Sequence, residues 1–163
     1  MLNEDYREML QCLAGEGAKF LLVGAYALAA HGYPRATMDI DIWVMPSRNN
    51  AEAVVRALRR FGAPLRGLTL EDLQKEDTVF QIGVAPRRID IMTGASGLEF
   101  EGASARATRV RIEGLEIGVL SIDDLIRNKR ASGRTRDLAD VEALESLRAS
   151  EKPKPRPRSR RRP

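Results

Sequence analysis

Apolar residues at positions 2, 6, 9, 10 and 13 recur at helical spacing, so Leu2, Tyr6, Met9, Leu10 and Leu13 predict an amphipathic first helix that ends near Gly15 and Gly17. A short apolar strand over 19–24 breaks at Gly24, and 25–31 reads as a short helix. After a glycine-proline loop, a strand over 38–45 sets Ile40, Ile42 and Val44 on one face and Asp39, Asp41, Trp43 and Met45 on the other. Pro46 and Ser47 introduce a longer helix whose inward side carries Ala51, Val54, Val55, Leu58 and Phe61. Thr69 caps a short helix around 70–75, and strands near 78–84 and 87–93 flank a turn at Ala85-Pro86. A hairpin, Arg109–Ile112 and Leu115–Val119, turns at Glu113-Gly114. Ser121 with Asp124 three residues on is a capping-box start for a helix that Gly133 ends, and Thr135 opens a last helix with Leu138, Val141, Leu144 and Leu147 between charges. Helices and strands in this order predict an α/β (α+β) fold, a mixed sheet with helices packed on it, in one domain over 1–149.

Charge changes the picture at the C-terminal end. The chain of 163 residues has a formal net charge of +4. The last stretch, 151–163, holds seven of the 27 basic residues and one of the 23 acidic ones, which leaves 20 basic against 22 acidic in the rest, a net of −2. The segment over 150–163 has four prolines and no large apolar residue, so it reads as a disordered basic tail. Such a tail is either a nonspecific contact for phosphate-rich polymers or an inert solubilising end. One cysteine, Cys12, allows no internal disulfide and suits a reducing cytoplasm. No apolar run approaches the roughly 18 residues of a membrane helix, so no membrane partner is expected.

The candidate chemistry lies in Asp39-Ile40-Asp41. Two carboxylates at i and i+2 on a strand share a face, about 6.5–7 Å apart along the chain. Burying two unpaired charges costs several kcal/mol each, and a divalent cation with oxygen ligands is the natural compensation. A second strand, Arg87-Arg88-Ile89-Asp90-Ile91-Met92, brings a third carboxylate among apolar neighbours. Three aspartates on adjacent strands suit metal-assisted transfer of a phosphorus group. Upstream, a strand that breaks at Gly24 and opens a helix leaves backbone N–H groups free, an arrangement suited to phosphates.

The order strand, Gly24-Ala25, helix, then Asp39-Ile40-Asp41 and a later strand Asp90 resembles the nucleotidyltransferase superfamily with the polymerase-beta-like fold. The longer string, Val23-Gly24-Ala25-Tyr26-Ala27, His31 to Thr37, then Asp39-Ile40-Asp41, is similar to minimal bacterial nucleotidyltransferases related to the AbiEii-like toxins, over roughly Phe20 to Leu144. The family usually has Gly-Ser or Gly-Gly where this chain has Gly24-Ala25, so a serine hydroxyl is missing while the backbone donors survive. The resemblance implies transfer of a nucleoside monophosphate from a nucleoside triphosphate such as ATP to a hydroxyl. It implies Asp39, Asp41 and Asp90 as catalytic residues and as ligands of two Mg2+ ions, with Mn2+ as a substitute. The acceptor it implies is RNA, a tRNA 3′ end in particular, or a protein, in a toxin–antitoxin setting with a cognate partner.

Other residues carry weaker signals. Lys129, followed by Asp137 and Asp140, resembles a lysine–aspartate segment of the AbiEii-like group and reads either as a phosphate contact or as a surface ion pair. Arg35 and Thr37, just before the aspartates, complete a nucleotide-binding set with Gly24, Ala25 and Lys129, although Arg35 equally fits a loop-holding ion pair. His31, the one histidine, reads as structural, and Tyr26, Tyr33 and Trp43 read as packing residues. A non-catalytic module of the same fold, holding a nucleotide or a partner, is the competing reading.

Overall fold

The computed structural model describes residues 2–151, so the basic tail lies outside the described residues from position 152 onward. Helix α1 (Glu4–Gly15) starts at Asn3, whose side chain accepts the Tyr6 N–H, and buries Tyr6, Met9, Leu10, Cys12 and Leu13. Strand β1 (Phe20–Val23) passes directly into the short helix α2 (Gly24–Ala30). Strand β2 (Asp39–Val44) leads to α3 (Arg48–Phe61), capped by Ser47 and closed by Gly62 in the left-handed conformation. A 3-10 turn at Asp72–Gln74 precedes β3 (Val79–Ile82) and β4 (Arg88–Met92). Then come α4 (Phe100–Arg106), the hairpin β5 (Thr108–Ile112) and β6 (Leu115–Val119), α5 (Ile122–Ser132) and α6 (Thr135–Glu151).

The six strands form one mixed sheet in the order β3-β4-β2-β1-β6-β5. Parallel pairing of β2 with β4 sets Asp39 opposite Arg88, Asp41 opposite Asp90 and Trp43 opposite Met92. On the reverse face, Ile40, Ile42, Ile89 and Ile91 are buried and hold the two strands in that register. β1 runs antiparallel to β2 with Val23 opposite Asp41, so the chain reaches Gly24 beside that carboxylate. The buried apolar residues form one connected cluster, in which Trp43 meets the Phe100 ring edge-on at 5.2 Å. His31 Nε2 lies 2.7 Å from the Leu120 carbonyl oxygen and ties the end of α2 to the segment after β6.

Three features differ from the sequence expectations. Helix α4 has no counterpart in them: its seven residues bury only Phe100 and Ala103, too few to mark a helical period. Thr69 and Asp72 do exchange side-chain to backbone hydrogen bonds, but the helix beyond them is one 3-10 turn. Leu138, one of the apolar residues expected between the charges of the last helix, is 53% exposed, whereas Asp137 and Asp140 are buried. Cations from α5 and from the loop before β2 reach these two carboxylates and turn that face inward. Among the described residues no helix is long and apolar enough to cross a membrane.

Asn50 joins α3 to the base of the β1–β2 pair. Its amide accepts the Lys19 N–H at 2.7 Å and donates to the Lys19 and Met45 carbonyls at 2.9 Å each. The Lys19 and Met45 carbonyls also accept from the Met45 and Ser47 N–H groups, so Asn50→Ala orphans the Lys19 N–H and removes two further bonds, and is expected to cost about 1–3 kcal/mol in denaturant unfolding. A parental midpoint in the variant would mean that water satisfies the same groups.

Candidate active site

β2 and β4 present Asp39, Asp41 and Asp90 on one face, and one carboxylate oxygen from each lies within 4.8 Å of the others. Asp39 and Asp41 are half-buried and Asp90 is buried. Three hard oxygen donors at this spacing could hold a divalent metal and fit Mg2+ or Mn2+ rather than a thiophilic ion. Asp41 carries the electrostatic cost of the cluster. Burial, then the charges of Asp39 and Asp90, push its carboxyl up to about 6, against smaller opposing effects of Arg88 and Lys129.

Gly24 makes room for that carboxylate. Its φ is +62°, and a Cβ at this position would lie 2.2 Å from Asp41 Oδ2. Both the left-handed backbone and the close approach exclude a side chain here. Val23, which precedes α2, supplies no capping side chain to the helix start. Thr37 Oγ1 donates to Asp39 Oδ1 at 2.8 Å and fixes the orientation of that carboxylate.

Arg88 was given no role in the sequence reading, yet it sits within the cluster. Its Nε donates to Asp90 Oδ1 at 3.0 Å, and Nη2 donates to Asp90 Oδ2 at 3.2 Å and to Asp39 Oδ2 at 2.5 Å. The signal available in the sequence was its position two residues before Asp90, hence on the same strand face.

The opposite side of the site is cationic and comes from α5 and α6. Lys129 Nζ lies 3.1 Å from Asp137 Oδ1 and 3.2 Å from Asp140 Oδ2, so the pair read as a surface contact is buried. Burial would raise the Asp137 carboxyl, but hydrogen bonds from Arg134 and Lys129 hold it below the usual range. Arg35 Nη1 donates to both oxygens of Asp140, at 2.5 and 2.6 Å. Arg136 is exposed and makes no ion pair among the described residues.

A cavity of about 920 Å3 runs between these two sides. All eight residues singled out in the sequence line it: Asp39, Asp41, Asp90, Gly24, Ala25, Arg35, Thr37 and Lys129. The sequence reading missed Arg88, Arg134 and Arg136 in the same lining. Arg134 and Arg136 fall on the α5–α6 junction, which periodicity does not direct toward any site.

Comparison with solved structures bears on the architecture. A protein of Thermotoga maritima, provisionally assigned as a nucleotidyltransferase, aligns over 92% of this chain and 94% of its own at a TM-score of 0.56 and 21% identity. The solution structure of the antibiotic-resistance factor ANT(2'')-Ia aligns over 90% of this chain and 88% of its own, at 0.54 and 16%. The fold is that of the nucleotidyltransferases. A crystal structure of ANT(2'')-Ia with adenylyl-2''-tobramycin aligns over 89% of this chain and 93% of its own, at 0.51 and 16%. No protein-family model matches the chain, and a search of curated proteins finds no match.

The raised Asp41 carboxyl sets a pH dependence for the metal-free protein. A carboxyl raised from 3.8 to about 6 in the fold favours its neutral form, so its stabilising contribution is complete below pH 3.8 and is lost as pH rises through 6. Asp41→Asn, neutral at every pH, is therefore expected to stabilise the metal-free protein by about 1–3 kcal/mol at pH 7.5 and by nearly nothing at pH 3.5. Denaturant unfolding at the two pH values measures this, and a pH-independent difference contradicts the assignment.

Proposed function

We propose that the chain is a metal-dependent nucleotidyltransferase that moves a nucleoside monophosphate from a nucleoside triphosphate to an acceptor hydroxyl and releases pyrophosphate. The observation that supports this most is the meeting of three carboxylates, within 4.8 Å of one another, with a cationic wall across one cavity of a nucleotidyltransferase fold. Asp39, Asp41 and Asp90 would hold Mg2+, or Mn2+ in its place. Bound there, the metal supplies neutralisation of phosphate charge and acidification of the attacking hydroxyl.

The chain's own residues do the rest. Thr37 keeps Asp39 turned to the cavity. Gly24 and Ala25 line the same space, where their backbone N–H groups would bind phosphate oxygens without a side chain. Lys129, held by Asp137 and Asp140, and Arg35, held by Asp140, set positive charge where the triphosphate becomes more negative as pyrophosphate departs. Asp90 takes the acceptor's proton.

The acceptor in this proposal is an RNA 3′ end such as that of tRNA, or a protein hydroxyl. ATP is the first nucleotide to try. A relation to the AbiEii-like proteins, with a toxin–antitoxin role in the cytoplasm and a cognate partner, rests on the Val23 to Asp41 string and the Lys129 to Asp140 segment of the sequence. ANT(2'')-Ia, seen with an adenylylated tobramycin, adds small hydroxyl compounds to the acceptors worth testing. The competing reading is a binding module without turnover. It is favoured by Arg88, which already neutralises Asp90 and reaches Asp39.

The test is incubation with each labelled nucleoside triphosphate, Mg2+, and in turn total RNA, a protein extract and a panel of polyols. One acceptor class is expected to become labelled, and Asp41→Asn is expected to lower labelling by about 100-fold or more. No labelled acceptor, with equal calorimetric binding of a nonhydrolysable triphosphate by parent and Asp41→Asn in Mg2+, sinks the reading.

A further inference from the structure

Arg88 occupies the position where a cation is expected. It stands opposite Asp39 in the β2–β4 register and two residues before Asp90 on the same face, so all three side chains project to one side. The guanidinium takes both oxygens of Asp90 and Asp39 Oδ2, while Thr37 donates to Asp39 Oδ1. Four of the six carboxylate oxygens in the cluster therefore already accept a hydrogen bond. Only Asp41 has no donor among the described residues. A divalent ion ligated by all three aspartates would share these oxygens with Arg88 and be repelled by its charge, and charge-assisted forks of this kind are strong.

We propose that Arg88 is a triphosphate-binding residue that exchanges partners on loading: its guanidinium leaves Asp39 and Asp90 as the divalent ion takes them, and forks a phosphate oxygen instead. This rests on the nucleotidyltransferase reading and extends it to a residue and to an order of events. The side chain is 34% exposed and lines the cavity, so it can turn without disturbing the core. Set free by metal alone, it would be an unpaired cation in a cavity that also holds Lys129, Arg134 and Arg136. A triphosphate removes that cost, because the planar fork that matches a carboxylate also matches a phosphate. Metal and triphosphate consequently bind with positive coupling, each raising the affinity of the other by the same factor, and Arg88 adds to the coupling that metal–phosphate attraction gives by itself.

A merely structural Arg88 would act in the opposite direction: its loss would splay the carboxylates and weaken metal binding. Mn2+ binding to the parent, Arg88→Met and Arg88→Lys, by calorimetry and by electron paramagnetic resonance, with and without a nonhydrolysable triphosphate, separates the two. Circular dichroism and unfolding check that each variant folds. The parent should bind Mn2+ about tenfold or more tightly when the triphosphate is present. Arg88→Met should bind Mn2+ alone more tightly than the parent, bind triphosphate more weakly, and show a clearly smaller coupling. Arg88→Lys keeps the charge without the fork and should fall between them; it carries the test if Arg88→Met does not fold. Unchanged or weaker Mn2+ binding in the variants, or parental coupling in them, overturns the proposal alone. A parent that binds Mn2+ but no triphosphate overturns the proposal and the nucleotidyltransferase reading together.

Discussion

Three carboxylates held within 4.8 Å of one another repel, and much of the local structure exists to keep them there. Parallel pairing of β2 with β4 fixes Asp41 against Asp90, with Asp39 one pleat away. A slip of one residue would bury the aspartates and expose Ile40, Ile42, Ile89 and Ile91, so the apolar reverse face enforces the polar front. β1 then delivers a residue without a side chain, Gly24, to the one place where the Asp41 carboxylate leaves no room for a Cβ. Each device resists the relaxation that the charges themselves favour.

The cationic side is built by the same logic with opposite sign. Lysine and arginine side chains this close to three carboxylates would tend to collapse onto them. Asp137 and Asp140, both buried at the α5–α6 contact, hold Lys129 and Arg35 on their own side of the cavity. Buried carboxylates are costly unless several donors reach them, and each of these two has partners from different elements. Lys129 nevertheless acts across the cavity, since its charge is one of two that lower the Asp41 carboxyl against the effect of burial.

Features encoded by short spacing were legible in the sequence. Asp39 and Asp41 declare a shared strand face, Ser121 and Gly133 bracket a helix, and Glu113-Gly114 marks a hairpin, because each signal lies within a few residues. The eight candidate residues meet at one cavity for the further reason that Val23, Asp41 and Asp90 lie side by side on the neighbouring strands β1, β2 and β4, with Gly24 directly after Val23. Long-range charge pairing was not legible. Leu138 counted among the apolar residues of the last helix, and only the arrival of Lys129 and Arg35 from other elements makes Asp137 and Asp140 the buried residues there. Helix α4 left almost no trace, since two buried residues define no period. Arg88 was visible as a residue, but its role depends on the strand opposite.

The resting chain neutralises its own site unevenly. Arg88 satisfies Asp90 fully and Asp39 in part, and Thr37 completes Asp39, while Asp41 has neither donor nor counter-ion in contact among the described residues. Asp41 is therefore where an external positive charge gains most, whether a proton or a metal ion. Its carboxyl at about 6 means that the two compete near neutral pH in the metal-free protein. An ion that wins there lies within reach of Asp39 and Asp90, whose oxygens are already committed to Arg88. On the reading proposed above, filling the site would replace one cation by another, with Asp41 as the point of entry and Arg88 as the group displaced.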